Sequence, residues 1–376
     1  MSAATEIINE QARPRAISLR WIISAREDLI WFIGSVAASY ALLILYVTGI
    51  LPLIPMVAGW AILIDAPHVF GTFSRTYFDT SEWKTRKRLM LGSLLFFVVG
   101  PTMVLLGAGF TFFFIAALWA YYHLVKQHYG FMVLYKKKNN DLAPVDNALD
   151  RWLLMFAFNY PFVAFIANDE SAMARVPVVL RGGVNAVATA LLIGTIVLGI
   201  GWLLRQLQRL ISREPLNLPK YLLLAAAIPM HWIVLLTPMP AKPIAIVAIL
   251  TIYHNLQYHR LIWFHNQKYS TRASAVLNAG ETPAYQKYGP AAFISRRLLY
   301  YIGFGIIFGL LYQAPRQLLG YFGLKASHGV PTAELPVQIQ LGVAFLWGVA
   351  FIHYYLDSKI WRVRKDPSVG KALRMS

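Results

Sequence analysis

The chain has 376 residues, enough for two or three soluble domains, but 57% are hydrophobic and only 14% charged, a balance too apolar for soluble domains of this size. A net charge of +18, from 35 Lys and Arg against 17 Asp and Glu, does not mark a nucleic-acid binder, because the basic residues fall in short clusters beside apolar runs rather than in one patch. The absence of cysteine excludes disulfides, thiolate ligands, iron–sulfur clusters and thiol nucleophiles, so any metal must be held by N and O atoms.

In chain order, residues 1-28 form a polar tail with no apolar stretch or small-residue cleavage site, and no cleavable signal peptide is expected. Over 5-28 this tail reads either as an amphipathic surface helix or as a solvated segment. Apolar runs of about 20 residues then recur, each the length of a hydrocarbon core of about 30 Å. They predict ten spans near 29-49, 51-73, 89-107, 110-135, 152-168, 184-204, 221-237, 243-265, 296-313 and 337-361, an all-α, polytopic transmembrane bundle over 29-361. Two polar stretches interrupt them: 269-295 reads as an interfacial segment and 314-336, with Gly320, Gly323, Gly329 and Pro331, as an external loop with or without a short surface helix. A basic tail, 362-376, closes the chain.

The loops alternate in charge. Arg75 with KTRKR at 84-88, KKK at 136-138, RQLQRLISR at 205-213, Arg272 with Arg296 and Arg297, and WRVRK at 361-365 fall on one side, which the positive-inside rule makes cytoplasmic. Both termini are therefore expected inside, in an integral, multi-pass protein of a bacterial inner membrane.

Seven of the nine histidines fall at or near the cytoplasmic ends of spans two, four, eight and ten: His68, His123, His128, His254, His259, His265 and His353. The same spans hold Asp65 and Asp357, and a carboxylate inside a membrane needs a partner. Residues three or four apart share a helix face, so Asp65 pairs with His68, and His353 with Asp357, each carboxylate either ligating or orienting the ring. YHLVKQHYG at 122-130 and YHNLQYHRL at 253-261 both carry two histidines five apart. That step turns about 140°, so both rings reach one centre only across a wide site or through a π-bulge. Alternatively His123 pairs with Gln127, and His254 with Gln257 or Tyr258. A lone histidine more often makes an ordinary hydrogen bond, and His231 and His328 are read that way. His265, among Asn266, Gln267 and Lys268, is open to either reading.

The metal ligands expected are His68, His123, His128, His254, His259 and His353 with Asp65 and Asp357, and Gln127, Gln257, Tyr129 and Tyr258 are expected to shape the site. Such an N/O set suits iron, manganese, zinc or copper better than magnesium or calcium, and eight ligands exceed one octahedron, so two ions are expected. His123-x4-His128 and His254-x4-His259 resemble, over these short stretches only, the histidine-box di-iron oxidases of the fatty-acid desaturase and hydroxylase class. The family's His-His doublets are missing and ten spans exceed its usual four to six. The resemblance implies two Fe ions, dioxygen activation, and hydroxylation, desaturation or oxidative cleavage of a lipid or isoprenoid, with membrane lipids around the bundle and an electron-donor protein as partner. Competing readings are a haem-binding electron-transfer protein, a proton or metal-ion transporter, and a metal-free lipid transferase or hydrolase. For the last, no G-x-S-x-G, H-E-x-x-H or P-loop motif is present.

Overall fold

A computed structural model of the protein describes residues 17–276, 284–327, 332–363 and 365–375. Ten long helical elements follow one another: α1 (Ala25–Val47), α2 (Leu53–Arg75), α3 (Thr80–Leu105), α4 (Gly109–Lys138), α5 (Pro144–Asn168), α6 (Val184–Ile211), α7 (Leu218–Leu236), α8 (Lys242–Val276), α9 (Leu298–Ser327) and α10 (Val337–Ile360). Seven of them, α1, α2, α3, α6, α7, the Leu298–Arg316 part of α9, and α10, are long and apolar enough to cross a membrane. Helices suit that setting because they satisfy every interior backbone group within the segment. The sheet among the described residues is a two-residue parallel bridge, β1 (Ile17–Ser18) beside β2 (Leu216–Asn217).

The structure departs from the sequence reading in three stretches. Residues 314–327 continue α9 rather than opening a loop; Gln313 and Arg316 are polar because they face a cavity, not because the helix has ended. The stretch 269–295 begins as the end of α8 and ends in two short helices, Ala284–Tyr288 and Pro290–Ile294. Of the N-terminal tail, residues 5–16 lie outside the described residues, as does His328, while 17–28 carry β1 and the start of α1.

Two helices contain π-helical turns, at Asp28–Gly34 in α1 and Ala61–Asp65 in α2. The second sits immediately before Pro67, which has no N–H to donate to the preceding turn. α8 binds both turns: Tyr253 OH and Gln257 Nε2 donate to the Phe32 carbonyl at 2.6 and 2.8 Å, and His259 Nε2 lies 3.0 Å from the Ile64 carbonyl. On its other side α2 meets α9 at two glycines. A Cβ on Gly305 would lie 2.8 Å from Pro67 Cβ, and one on Gly309 would lie 2.3 Å from the Ile62 carbonyl oxygen, the close backbone approach that small residues permit.

At one end of the bundle, α4 to α7 are clamped by charge. Lys136 pairs with Asp150, Lys220 bridges Asp141 (2.7 Å) and Asp150 (3.0 Å), Arg209 holds Asp141 (2.9 Å), and Arg205 holds Asp146 and Glu214, each at 3.0 Å. Four cations thus meet four acids. α6 also packs along α5, where Gly194 meets Phe156 and Trp202 donates to Asp150 at 2.8 Å, although only 6% of its most apolar window is buried.

Two outcomes follow from these contacts. Gly309→Ala drives a methyl group onto a backbone oxygen and should destabilise the protein by about 1–3 kcal/mol, read as a lowered Tm in detergent. Asp141, in the loop after α4, is pushed up by burial, but Lys220, Lys136 and Arg209 outweigh that and hold its carboxyl below the ordinary range. The unfolded chain therefore takes up this proton first on acidification: the stabilisation is present above about pH 4 and fades as pH falls further. Asp141→Asn should cost on the order of 3 kcal/mol at neutral pH and flatten the Tm-against-pH curve below pH 4 relative to the parent.

Candidate metal centre

His68, His123, His254 and His353 lie 15, 14, 12 and 16 residues after the first residues of α2, α4, α8 and α10, Leu53, Gly109, Lys242 and Val337. At about 1.5 Å per residue these offsets place all four within about 6 Å of one depth. Packing completes the convergence. His68, His123 and His353 each offer a ring nitrogen within 4.8 Å of the others, and among the described residues they are the group of three or more ligating side chains that meet in this way. The His254 ring is 4.8 Å from that of His68 and 5.2 Å from that of His123, centroid to centroid. All four are buried.

The proton positions follow from hydrogen-bond logic. Thr72 donates its one hydroxyl proton to Asp357 Oδ1 at 2.6 Å, because a carboxylate only accepts. Thr72 Oγ1 must then accept from His353 Nδ1, 2.7 Å away. That fixes the His353 proton on Nδ1 and leaves a lone pair on Nε2, which faces His68 Nε2 at 2.9 Å. Tyr258 reinforces the arrangement by donating to Asp357 Oδ1 at 2.8 Å, and Trp361 Nε1 reaches Tyr258 at 3.4 Å. Asp357 therefore acts on His353 through Thr72, its other oxygen standing 3.8 Å from His353 Nδ1.

These residues fit a metal ion. Two nitrogens bound at about 2.1 Å and at right angles lie about 3.0 Å apart, which matches the His68–His353 separation. His123 Nε2, His68 Nδ1 and His254 Nδ1 are buried without a hydrogen-bond partner, so the protein does not by itself satisfy these rings, and a set of imidazoles suits iron, zinc, manganese or copper.

The five-residue spacing divides the other histidines as its rotation requires. His128 points away from His123 and meets His231 of α7, ring centroids 5.3 Å apart. Each donates Nδ1–H to the carbonyl four residues back, Leu124 at 3.0 Å and Ala227 at 2.8 Å, and each keeps an unpartnered Nε2. His259 turns from His254 toward α2 and α9, where Nε2 donates to the Ile64 carbonyl and Nδ1 accepts from Tyr301 at 3.2 Å. Both its nitrogens are thus engaged by the protein.

Other expected site residues take different places. Asp65 does not bond His68; its oxygens accept from Asn255 and Gln313. Gln127 donates to the His254 backbone carbonyl at 2.7 Å, bracing α4 on α8, and Gln257 is turned to α1. Tyr258 lies at the site, its ring 4.5 Å from His68. Tyr129 packs beside Lys126 instead, and His265 contacts Asn266 and Trp361. Thr72 and His231 were not anticipated. Thr72 was legible in principle, since Asp65, His68 and Thr72 fall three and four apart on one face.

The histidines terminate a cavity of about 540 Å³. Its lining begins at the N-terminal ends of α2, α4 and α8, with Leu53, Phe110 and Pro243, and stops at Val69, Leu124, Asn255 and Tyr354. Its wall is mainly aliphatic, from residues such as Leu118, Ile246 and Leu250, with Phe113, Phe114, Phe162, Phe165 and Trp347 set among them. Beyond the histidines the bundle is closed by Tyr258, Trp361 and the buried Arg75, whose guanidinium stacks 3.8 Å over Trp361 and donates to the Ile360 carbonyl at 2.8 Å.

No family model matches the chain, and neither a curated protein nor a solved structure is significantly similar to it.

Thr72→Val keeps shape and removes the hydroxyl relay, so His353 should lose its fixed tautomer. Affinity for Co(II) or Zn(II), measured by titration of the purified protein, should fall about 10–100-fold, with Tm little changed.

Proposed function

We propose that the protein is an integral-membrane, metal-dependent oxidase or oxygenase acting on a lipid or isoprenoid substrate, with the metal held by His68, His123 and His353 and supported by His254. The observation that carries this reading is the position of the histidines: they converge at the closed end of a mainly apolar slot. A slot of that kind binds a hydrocarbon chain by excluding water from it, and brings one segment of the chain against the metal. A redox metal such as iron supplies the activation of dioxygen needed to attack an unactivated C–H or C=C bond. The protein's own part is to hold His353 in one tautomer through Thr72 and Asp357, to line the chain's path with Phe and Trp side chains, and to keep water out behind Tyr258 and Trp361.

In this reading the second iron takes the free Nε2 atoms of His128 and His231, with His254 between the two groups. Ten helices cross the membrane and both termini are cytoplasmic, because the basic loops and the charge clamp of α4 to α7 gather at the end of the bundle nearer the histidines. The exposed Lys84, Lys87 and Arg88 at that end suit an acidic electron-donor protein.

Haem is less well served by this geometry. Two axial nitrogens at about 2 Å on opposite sides of an iron lie about 4 Å apart with the macrocycle between them, whereas His68 and His353 meet at 2.9 Å. A transport path would need polar groups along its length, whereas the slot's lining is mainly apolar and Asp65, Asn255, Gln313 and Arg316 stand on one wall.

The reading is tested by elemental analysis and absorption spectroscopy of the parent beside His123→Ala. Iron in the parent without a Soret band, lost at least tenfold in the variant while Tm is retained, is the expected result; substrate-dependent oxygen uptake should vanish with it. Equal metal content in the two proteins removes the ligand assignment.

A further inference from the structure

One wall of the slot is polar, and neither the metal centre nor the apolar lining accounts for it. Asp65 lies one turn before His68 on α2. Its Oδ1 accepts from Asn255 Nδ2 at 3.2 Å and its Oδ2 from Gln313 Nε2 at 3.0 Å. A carboxylate has no proton to give, so both amides must present NH2 to it. The amide oxygens are thereby left over: Asn255 Oδ1 and Gln313 Oε1 are buried with no hydrogen-bond partner. Both residues line the cavity and are only 1% exposed. Arg316, on the same wall, does not supply the missing donor; its Nη1 is directed to the Tyr312 hydroxyl at 3.3 Å.

Three side chains from α2, α8 and α9 thus present two idle acceptors and a carboxylate, in a slot whose lining is mostly apolar apart from the histidines, Thr251, Thr332, Arg175 and Arg316. Buried acceptors are rarely left without a donor, and a pure hydrocarbon brings none. An ionised carboxylate brings none either and sets its charge against Asp65. A hydroxyl group brings a donor and no charge.

We propose that Asp65, Asn255 and Gln313 form a station for the hydroxyl group of a long-chain or isoprenoid alcohol, whose O–H donates to an amide oxygen while its chain lies along the apolar wall. This rests on the slot being the substrate site, and it does not depend on the identity of the metal. Asn255 directly follows His254 and Asp65 is three residues from His68, so the alcohol end is anchored within about one helical turn of the histidines, and the carbons nearest the hydroxyl lie beside them.

The test is equilibrium binding of radiolabelled 1-hexadecanol to the purified protein in nanodiscs, corrected for empty nanodiscs and competed by hexadecanol, its methyl ether and hexadecanoate. The ether keeps the oxygen and loses the donor. Hexadecanol should compete about tenfold better than the ether. That preference should fall to near unity in Asn255→Leu and Gln313→Leu, and persist in Gln313→Glu, which retains acceptor oxygens; Tm reports folding. Equal competition by the ether, an unchanged preference in both Leu variants, or stronger competition by hexadecanoate overturns the proposal, the last by marking Arg316 as an anion site. Ala120→Trp, which fills the slot beside His123, separates the two readings. If it abolishes hexadecanol binding while the ether competes equally, the slot stands and the hydroxyl station falls; if it leaves binding unchanged, the slot is not the substrate site and both fall.

Discussion

Three side chains of α8 settle where the histidines can be. Tyr253, Gln257 and His259 donate into the carbonyls of the two π-helical turns, the first two onto Phe32 and the third onto Ile64. A hydrogen bond buried in apolar surroundings is costly to leave unmade, so these bonds fix both the rotation and the height of α8 against α1 and α2. His254 lies between the anchors Tyr253 and Gln257, and its direction is set with theirs. α2 in turn is pinned between α8 and the glycines of α9. His68 and Thr72 are then carried to His353 and Asp357, where their own hydrogen bonds complete the register.

The helical architecture was written plainly in the apolar runs, and the predicted spans coincide with the long helices to within a few residues at most ends. The continuation of α9 was not, because Gly320, Gly323 and a scatter of polar residues look like loop chemistry, and the cavity that Gln313 and Arg316 face cannot be read from the sequence. Of the candidate site, the three-histidine group could be anticipated from depth alone. Helical spacing found one of its supports and missed the other: His353 and Asp357 stand 3.8 Å apart with a threonine from another helix linking them, whereas Asp65 serves Asn255 and Gln313 rather than its neighbour His68. Pairings across helices leave no trace in local periodicity. His231 shows the same limit, for a single histidine in an apolar span has no meaning until His128 is placed opposite it.

The charge clamp carries a related lesson about topology. Lys136, Arg205 and Arg209 count as positive loop residues in the sequence, and in the fold each is paired with an acid. Positive-inside counting weighs Lys and Arg and gives little weight to Asp and Glu, so it assigns these residues to a side without disclosing what they do there. They reinforce the packing of α6 on α5 at one end, while most of the apolar surface of α6 is not buried.

The slot has an end, and an end gives it a zero mark. Its lining stops at Val69, Leu124, Asn255 and Tyr354, where the histidines stand, and Tyr258, Trp361 and Arg75 fill what lies beyond. A chain threaded into it can advance only until its leading atoms touch that floor, so the position presented to the histidines is counted from the tip of the chain and not from its overall length. On the proposed reading, homologous chains differing only at the trailing end would be altered at the same carbon, a bulkier floor residue would move the count by a carbon or two, and the cavity would work as a depth gauge.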